Sequence, residues 1–468
     1  MTTTQPFDFR GFLDHLKQTG ELAEISESVA LDYEVGALCR ELADRAGPAA
    51  MLSKIGGFHG RCDRMVVNVY GERRRLAKAF RVADEELLGF VSKRMRGRVE
   101  PELVDGPASC QEVVLMGEDA DLAQWPIPFW NAGDGGPYIT AGLHIVRHPE
   151  FGWNISYNRA QVYNGRELGV CMAPDHHLRL TTDEARKMGV RVEAAIIIGA
   201  RPSISIAAAS DLAHGDYELR AAGALEGQPI RTVRCKTIDV EVPADSEIVI
   251  EGYYSGETRE EGPFVEFTGY QTPIITSPVF TVTAITHRHD PIYQGVFAGR
   301  PPCETNTLWR ELEEAEAFTN LRQKFPLLKA VHRPPQVGRD FLGVIQIDPA
   351  RQREGVVNTL LLATAAVMPR LKFIIAVDDD IDLYDLTSVF WAVSTRCDPR
   401  VDVQMASGTM TSWLDPSSGG LTGKVFFNAT KKPGFRGQIP SFPEAAVARA
   451  KSLLNAHLSG ALPARGQP

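Results

Sequence analysis

Glu260-Glu261-Gly262-Pro263-Phe264-Val265-Glu266-Phe267-Thr268-Gly269-Tyr270 is the most informative stretch of this 468-residue chain. Two carboxylates, Glu261 and Glu266, flank a Gly-Pro turn, and Glu266 lies between Val265 and Phe267. Apolar company disfavours the charged form of a carboxyl and raises its pKa, which suits a proton donor near neutral pH. Read alone, the same residues also fit two exposed acids on a surface loop, where most glutamates are found.

Outward from this stretch the chain reads as strands separated by Gly, Pro and Asp turns, beginning near residue 110. Ala141–Val146, Ala194–Ile198, Ser203–Ala207, Thr237–Val242, Glu247–Ile250 and Val279–Ile285 are predicted strands, with a helix inserted near Thr182–Met188. Strands at this density predict a barrel-like β domain. Upstream, Asp8 can cap a helix whose apolar residues Phe9, Phe12, Leu13 and Leu16 fall at helical spacing, ending at Gly20. A mixed αβ region follows, including the strand Met65–Val69. Downstream, a linker helix is predicted from Asn306 to Phe325, with Glu311, Glu313, Glu314 and Glu316 on a solvated face. Gly343–Ile347, Val356–Ala366, Phe373–Val377 and Leu386–Val393 then alternate strand and helix, the pattern of an α/β domain. Ser441 and Pro443 open a last helix to about Leu458, and the Pro/Gly/Ala-rich tail is predicted to be disordered. The expected division is 1–110, 111–304, 305–326, 327–458 and a tail at 459–468, in the α+β class.

Composition narrows the function. A 44% hydrophobic content supports two or three domains with proper cores. The net charge of -9 argues against nucleic acid, whose phosphates need clustered Lys and Arg. No run of 18 apolar residues is present, so no membrane span is predicted. Met1–Asp8 lacks the basic-then-apolar layout of a signal peptide. The seven cysteines are scattered without a CxxC pair, which fits a reducing cytoplasm better than a disulfide framework or thiolate zinc site.

Three further stretches carry candidate chemistry. In Trp153–Arg159 the planar fork of Arg159 can clamp a carboxylate, though a surface Arg in an ordinary strand has the same local sequence. Pro174-Asp175-His176-His177, followed by Asp216-Tyr217-Glu218, supplies His and Glu that with an Asn amide make a mixed N/O set suited to manganese. Against this, His-His pairs are usually not ligands, and no HExxH spacing occurs. The acidic run Asp378-Asp379-Asp380-Ile381-Asp382 suits magnesium, or equally a helix cap and loop amides. Gly133, Gly135 and Gly136 form no GxGxxG, and no P-loop is present.

Taken together and in order, these stretches resemble the UbiD family of reversible decarboxylases over roughly Phe7 to Lys432. The resemblance rests on Asn131–Tyr138, Asn154–Arg159, Pro174–His176, Ala222–Ala224, Val242–Gly252, Glu261–Tyr270 and Val377–Arg396. It implies a catalytic trio of Arg159, Glu261 and Glu266. It also implies a divalent ion, usually manganese, on Asn154, His176 and Glu218, bridging the phosphate of prenylated FMN. A one-residue indel would move the histidine role to His177. Ser156 is a further expected cofactor contact, Ser210 a candidate ligand for potassium, and Lys372 the expected phosphate contact. The sequence departs from the family at Val265, usually Gly, at Asp175, usually Gln, and at Asn428, often Asp. The implied fold is an N-terminal αβ region, a central split β-barrel of flavin-reductase-like type and a C-terminal α/β domain joined by the linker helix.

Removing CO₂ from an arene leaves an sp² carbanion that side chains cannot stabilise, so a cofactor must act as electron sink. In the family the flavin forms a covalent adduct with the substrate. By resemblance, Arg159 would orient the carboxylate, Glu261 would hold Arg159, and Glu266 would return the proton. The implied partners are an aromatic, heteroaromatic or conjugated acid, CO₂, a flavin prenyltransferase as cofactor supplier, and further copies in a homodimer or homohexamer. Two other readings stand beside this one: a non-catalytic flavin-binding module, and a scaffold subunit of a multi-component decarboxylase. Neither has a need for the acid pair and Arg159.

Overall fold

The computed structural model describes residues 6–457, apart from positions 149, 151, 175, 211, 214, 339 and 419 and the side chains of residues 311, 312, 455 and 456. The expected disorder at 459–468 lies outside the described residues, as does the departure at Asp175.

The first helix, Phe9–Gln18, forms as its spacing requires. Asp8 accepts the Gly11 N–H at 2.8 Å, and Phe9, Phe12, Leu13 and Leu16 are all buried. It covers a four-stranded sheet ordered Leu22–Ile25, Ala49–Leu52, Arg64–Val67, Ile292–Gly295. The fourth strand comes from far along the chain and runs parallel to Arg64–Val67, tying the N-terminal region to the end of the central one.

The central region is a nine-stranded sheet in which every pairing is antiparallel. Its inner strands are buried on both faces. In Val192–Ile198, Ala195 and Ile197 enter one core while Ala194, Ile196 and Ile198 enter the other, following the two-residue period of a strand. The two longest strands, Ile248–Glu261 and Ile275–His287, pair along their length. Between them the loop folds into a small hairpin, Phe264–Val265 against Gln271–Thr272. Glu261 therefore closes a strand, and Glu266 stands in the hairpin loop.

The C-terminal region has a five-stranded sheet ordered Leu328–His332, Leu342–Ile347, Phe373–Asp378, Leu421–Asn428, Val403–Met410, parallel at its centre and antiparallel at both edges. Val356–Val367 covers one face and Leu386–Arg396 the other, giving two separate cores.

Four expectations need correction. Ser203–Ala207 is not a strand but part of the helix Pro202–Ala208. All seven of its residues are buried, so neither period leaves a polar face to read, and Pro202 at its start favours the helix. Of Thr237–Val242 only the end joins the strand Glu241–Pro243, because Glu251 captures the N–H groups of Lys236 and Thr237 at 2.9 and 2.7 Å. The linker is two helices, Glu304–Leu308 and Arg310–Lys324, meeting at Trp309. Finally, Glu314 is fully buried rather than solvated. It accepts the Arg333 N–H at 2.6 Å and pairs with Arg310 at 3.5 Å and Arg73 at 3.8 Å, because this face of the helix packs between regions.

The acidic run takes the structural alternative. Asp378 pairs with Arg396 at 3.0 Å and accepts the Lys431 N–H, Asp380 pairs with the same Arg396, and Asp382 accepts the Tyr384 N–H. Among the described residues no helix is long and apolar enough to cross a membrane.

Candidate active site

The strand Gly152–Tyr157 pairs with Leu143–His148 and places Asn154 and Ser156 on one face by its two-residue period. The chain then turns, and Arg159 enters the protein interior, 9% exposed. Its guanidinium meets both predicted carboxylates. Nε and Nη2 reach the two oxygens of Glu261 at 3.0 and 3.1 Å, a bidentate fork, while Nη1 donates to Glu266. Nη2 also donates to Thr272 Oγ1 at 3.3 Å, and the Phe264 ring lies 4.8 Å beneath the guanidinium carbon. The Glu266 carboxylate pairs with Arg159 and accepts the Phe267 N–H at 3.2 Å, and Phe264 and Phe267 share its cavity wall, so the expected apolar company comes with a cation beside it. Val265 does not adopt a positive φ, so this position tolerates a side chain in place of glycine.

Arg159 and Glu266 line a cavity of about 370 Å³, together with Phe264, Phe267, Trp309 and His176. Ligand cavities of roughly 300–1,000 Å³ are usual for small molecules. Glu261, with no exposure, stands behind Arg159 and outside this wall. A second cavity, about 70 Å³, holds Asn154, Ser156, His177, Ser210 and Glu218. The two share Tyr157, His176, Trp309 and Arg370, so they are neighbouring compartments of one site.

Glu218 opens the helix Glu218–Glu226 and is 3% exposed. It accepts the Asn154 amide at 3.0 Å and the Ile155 N–H at 2.8 Å. Burial pushes its pKa up to about 8, and those neutral donors only partly offset the effect. Such a carboxylate calls for a cation, so the donor set fits a divalent metal. Both histidines are close by. His177 Nδ1 lies 3.5 Å from Asn154 Nδ2, whereas His176 caps the helix His177–Met188 and faces both cavities.

Lys372, the expected phosphate contact, is engaged elsewhere in the C-terminal region. It pairs with Asp415 at 3.0 Å and Ser417 at 2.8 Å and lines neither cavity. Arg370, two residues earlier, lines both and pairs with Glu313 at 3.2 Å. Neither Arg370 nor the cavity residues Asp340 and Trp413 stood out in the sequence. Their only signal was position near Lys372 and the C-terminal strands.

Three family profiles match the chain in succession: the 3-octaprenyl-4-hydroxybenzoate carboxy-lyase N-terminal domain over residues 13–95, its Rift-related domain over 102–301 and its C-terminal domain over 306–429. The chain belongs to the UbiD family of carboxy-lyases. Solved UbiD-class structures agree. HmfF from Pelotomaculum thermopropionicum in complex with FMN is 32% identical with a TM-score of 0.88, over 95% of this chain and 100% of that one. The 3,4-dihydroxybenzoic acid decarboxylase of Klebsiella pneumoniae is 26% identical with a TM-score of 0.85, over 96% and 99%. The open form of Sedimentibacter hydroxybenzoicus vanillic acid decarboxylase is 26% identical with a TM-score of 0.85, over 98% and 100%.

Proposed function

We propose that this UbiD-family protein catalyses the non-oxidative, reversible decarboxylation of an aromatic, heteroaromatic or conjugated carboxylic acid, using prenylated FMN. The carrying observation is Arg159 held between Glu261 and Glu266 in the wall of a largely apolar cavity. Structures of HmfF hold FMN and, in an evolved dimeric form, prenylated FMN. Bound across the two cavities, the flavin would supply the electron sink that an aryl carbanion requires.

The side chains divide the remaining work. Arg159 takes the substrate carboxylate with its planar fork, while the bidentate contact to Glu261 keeps the guanidinium in place. The incoming carboxylate competes with Glu266 for Nη1, releasing Glu266 to hold a proton and return it to the carbon that has lost CO₂. Phe264, Phe267 and Trp309 keep the reacting carbon away from water. Asn154, Glu218 and a histidine would hold a divalent ion, manganese by family habit. That histidine is His176, which faces both cavities, or His177, whose Nδ1 lies 3.5 Å from Asn154. Ser156 and Arg370 would meet the flavin phosphate region, Lys372 only after a rearrangement, and Ser210 a potassium ion.

The nine antiparallel strands support a split barrel flanked by the N-terminal αβ region and the C-terminal α/β domain. Self-association fits the final helix, Glu444–His457, whose described side chains are exposed along with Phe442 (78%). Seven free cysteines suit the cytoplasm.

The test is co-expression with a flavin prenyltransferase, followed by a CO₂-release screen over aromatic acids. Protein made without the prenyltransferase should be inactive and should gain activity on reconstitution. Full turnover by protein shown free of flavin would sink the proposal.

A further inference from the structure

The stretch Asn131–Tyr138 has no part in the chemistry so far, yet it is laced to the loop that carries both glutamates. The Asp134 carboxylate is 7% exposed and accepts two backbone N–H groups, that of Val265 at 2.8 Å and that of Asn131 at 2.9 Å. Val265 immediately precedes Glu266. The next residue, Gly135, donates its N–H to the Pro263 carbonyl at 2.7 Å. Gln161 closes the other side: its Nε2 donates to the Gly135 carbonyl at 2.8 Å, and its Oε1 accepts the Gly262 N–H at 2.9 Å. Gly262 immediately follows Glu261. The backbones approach so closely that a Cβ on Gly135 would meet the Gly262 oxygen at 2.2 Å. Three anchors therefore hold the chain between the glutamates, one beside each carboxylate and one at the turn.

Burying a carboxylate to tie down an amide has a cost, and burial raises the Asp134 pKa. In return, a carboxylate gives two fixed acceptors, each about twice as strong as a neutral one when a backbone N–H is the donor. We propose, resting on the function proposed above, that Asp134 is a positioning residue for Glu266. Its hold on the Val265 amide fixes where the Glu266 carboxylate stands relative to Arg159 and the cavity.

The experiment compares Asp134→Ala and Asp134→Asn with the wild-type holoenzyme. A misplacement of about 1 Å in a reacting group costs ~10²-fold, so Asp134→Ala should lose kcat on that order. KM should change less than about threefold, because Arg159 and its fork to Glu261 remain to bind the carboxylate. Asp134→Asn keeps an oxygen for the Val265 N–H and should recover most of the lost kcat. Backbone hydrogen exchange over residues 262–270 in flavin-free protein reads the anchor without any turnover. Exchange there should quicken in Asp134→Ala and far less in Asp134→Asn.

Wild-type kcat in Asp134→Ala, or unaltered exchange over 262–270, overturns the proposal. So does an equal loss in both variants with a matching rise in KM. If Asp134→Ala does not fold, Asp134→Leu, which keeps the bulk but accepts no hydrogen bond, takes its place. Faster exchange with reduced kcat at constant KM supports the role, and wild-type values in both overturn it. A wild-type protein that releases no CO₂ from any acid after flavin loading refutes the proposed function instead, and exchange still judges the anchor.

Discussion

At Arg159 and at Asn154, on one run of chain, the protein buries carboxylates, and it treats them in opposite ways. Around Arg159 the cation is built in, and Glu261 and Glu266 both reach the guanidinium. Around Asn154 the carboxylate of Glu218 has an amide and a backbone N–H, and its pKa climbs to about 8. The first arrangement is complete as the chain folds. The second leaves a buried carboxylate with neutral donors, so neighbouring parts of one run of chain hold their charges by different means.

The largest expected effect comes from the self-contained end. Glu266→Gln keeps size and much of the hydrogen bonding but gives up the acidic proton, and general acid catalysis contributes about 10²–10⁴-fold. Turnover should fall on that order with flavin content preserved, and exchange of ring hydrogen with solvent deuterium should fail. Wild-type exchange would place the proton on another group. Glu261→Gln should act less directly, by loosening Arg159.

Arg159→Ala tests the same end through stability. Removing one partner of a buried ion pair costs about 3–5 kcal/mol, here with two carboxylates stranded. A denaturant midpoint close to wild type would show that water reaches the pair. At the other end, Glu218→Ala, or alanine at the liganding histidine, should lower metal and cofactor affinity at least about 10- to 100-fold. Metal analysis of His176→Ala beside His177→Ala decides which histidine binds.

The smallest effect is in pH. In metal-stripped protein burial holds the Glu218 pKa at about 8, above the ordinary 4.5, so the folded state holds the proton more tightly. Its contribution to stability is therefore present below about pH 4.5 and lost as pH rises through 8. A metal must displace that proton, so affinity should weaken about tenfold per pH unit below 8. Titration calorimetry in two buffers would reveal the released proton, and pH-independent affinity would remove Glu218 from the ligand set.

The sequence showed most where neighbours in the chain act together. Asp8, Phe9, Phe12, Leu13 and Leu16 define a helix by local spacing, and the structure keeps it. Arg159, Glu261 and Glu266 were named in the sequence, and the fold brings them together. Legibility failed where tertiary packing dominates. Pro202–Ala208 is buried on all sides, so its alternating Ser and Ile gave a false strand period. Glu314 and Arg370 depend on partners contributed by distant parts of the chain, which no local pattern records. At Glu266 the apolar neighbour Phe267 was legible, but the Arg159 partner, more than a hundred residues away, was not a local signal.

The strand Ile292–Gly295, which completes the sheet begun by Leu22–Ile25, has a consequence for synthesis. Its partner Arg64–Val67 leaves the ribosome some 230 residues earlier. At about 5–20 residues per second that is a wait of roughly 10–45 s. During that interval the edge of Arg64–Val67 offers unpaired N–H and C=O groups to any passing strand, the ordinary template for aggregation. The nascent chain is thus most exposed while the central strands are being made. Slowing elongation before residue 292 should lengthen dependence on chaperones, while slowing it afterwards should not.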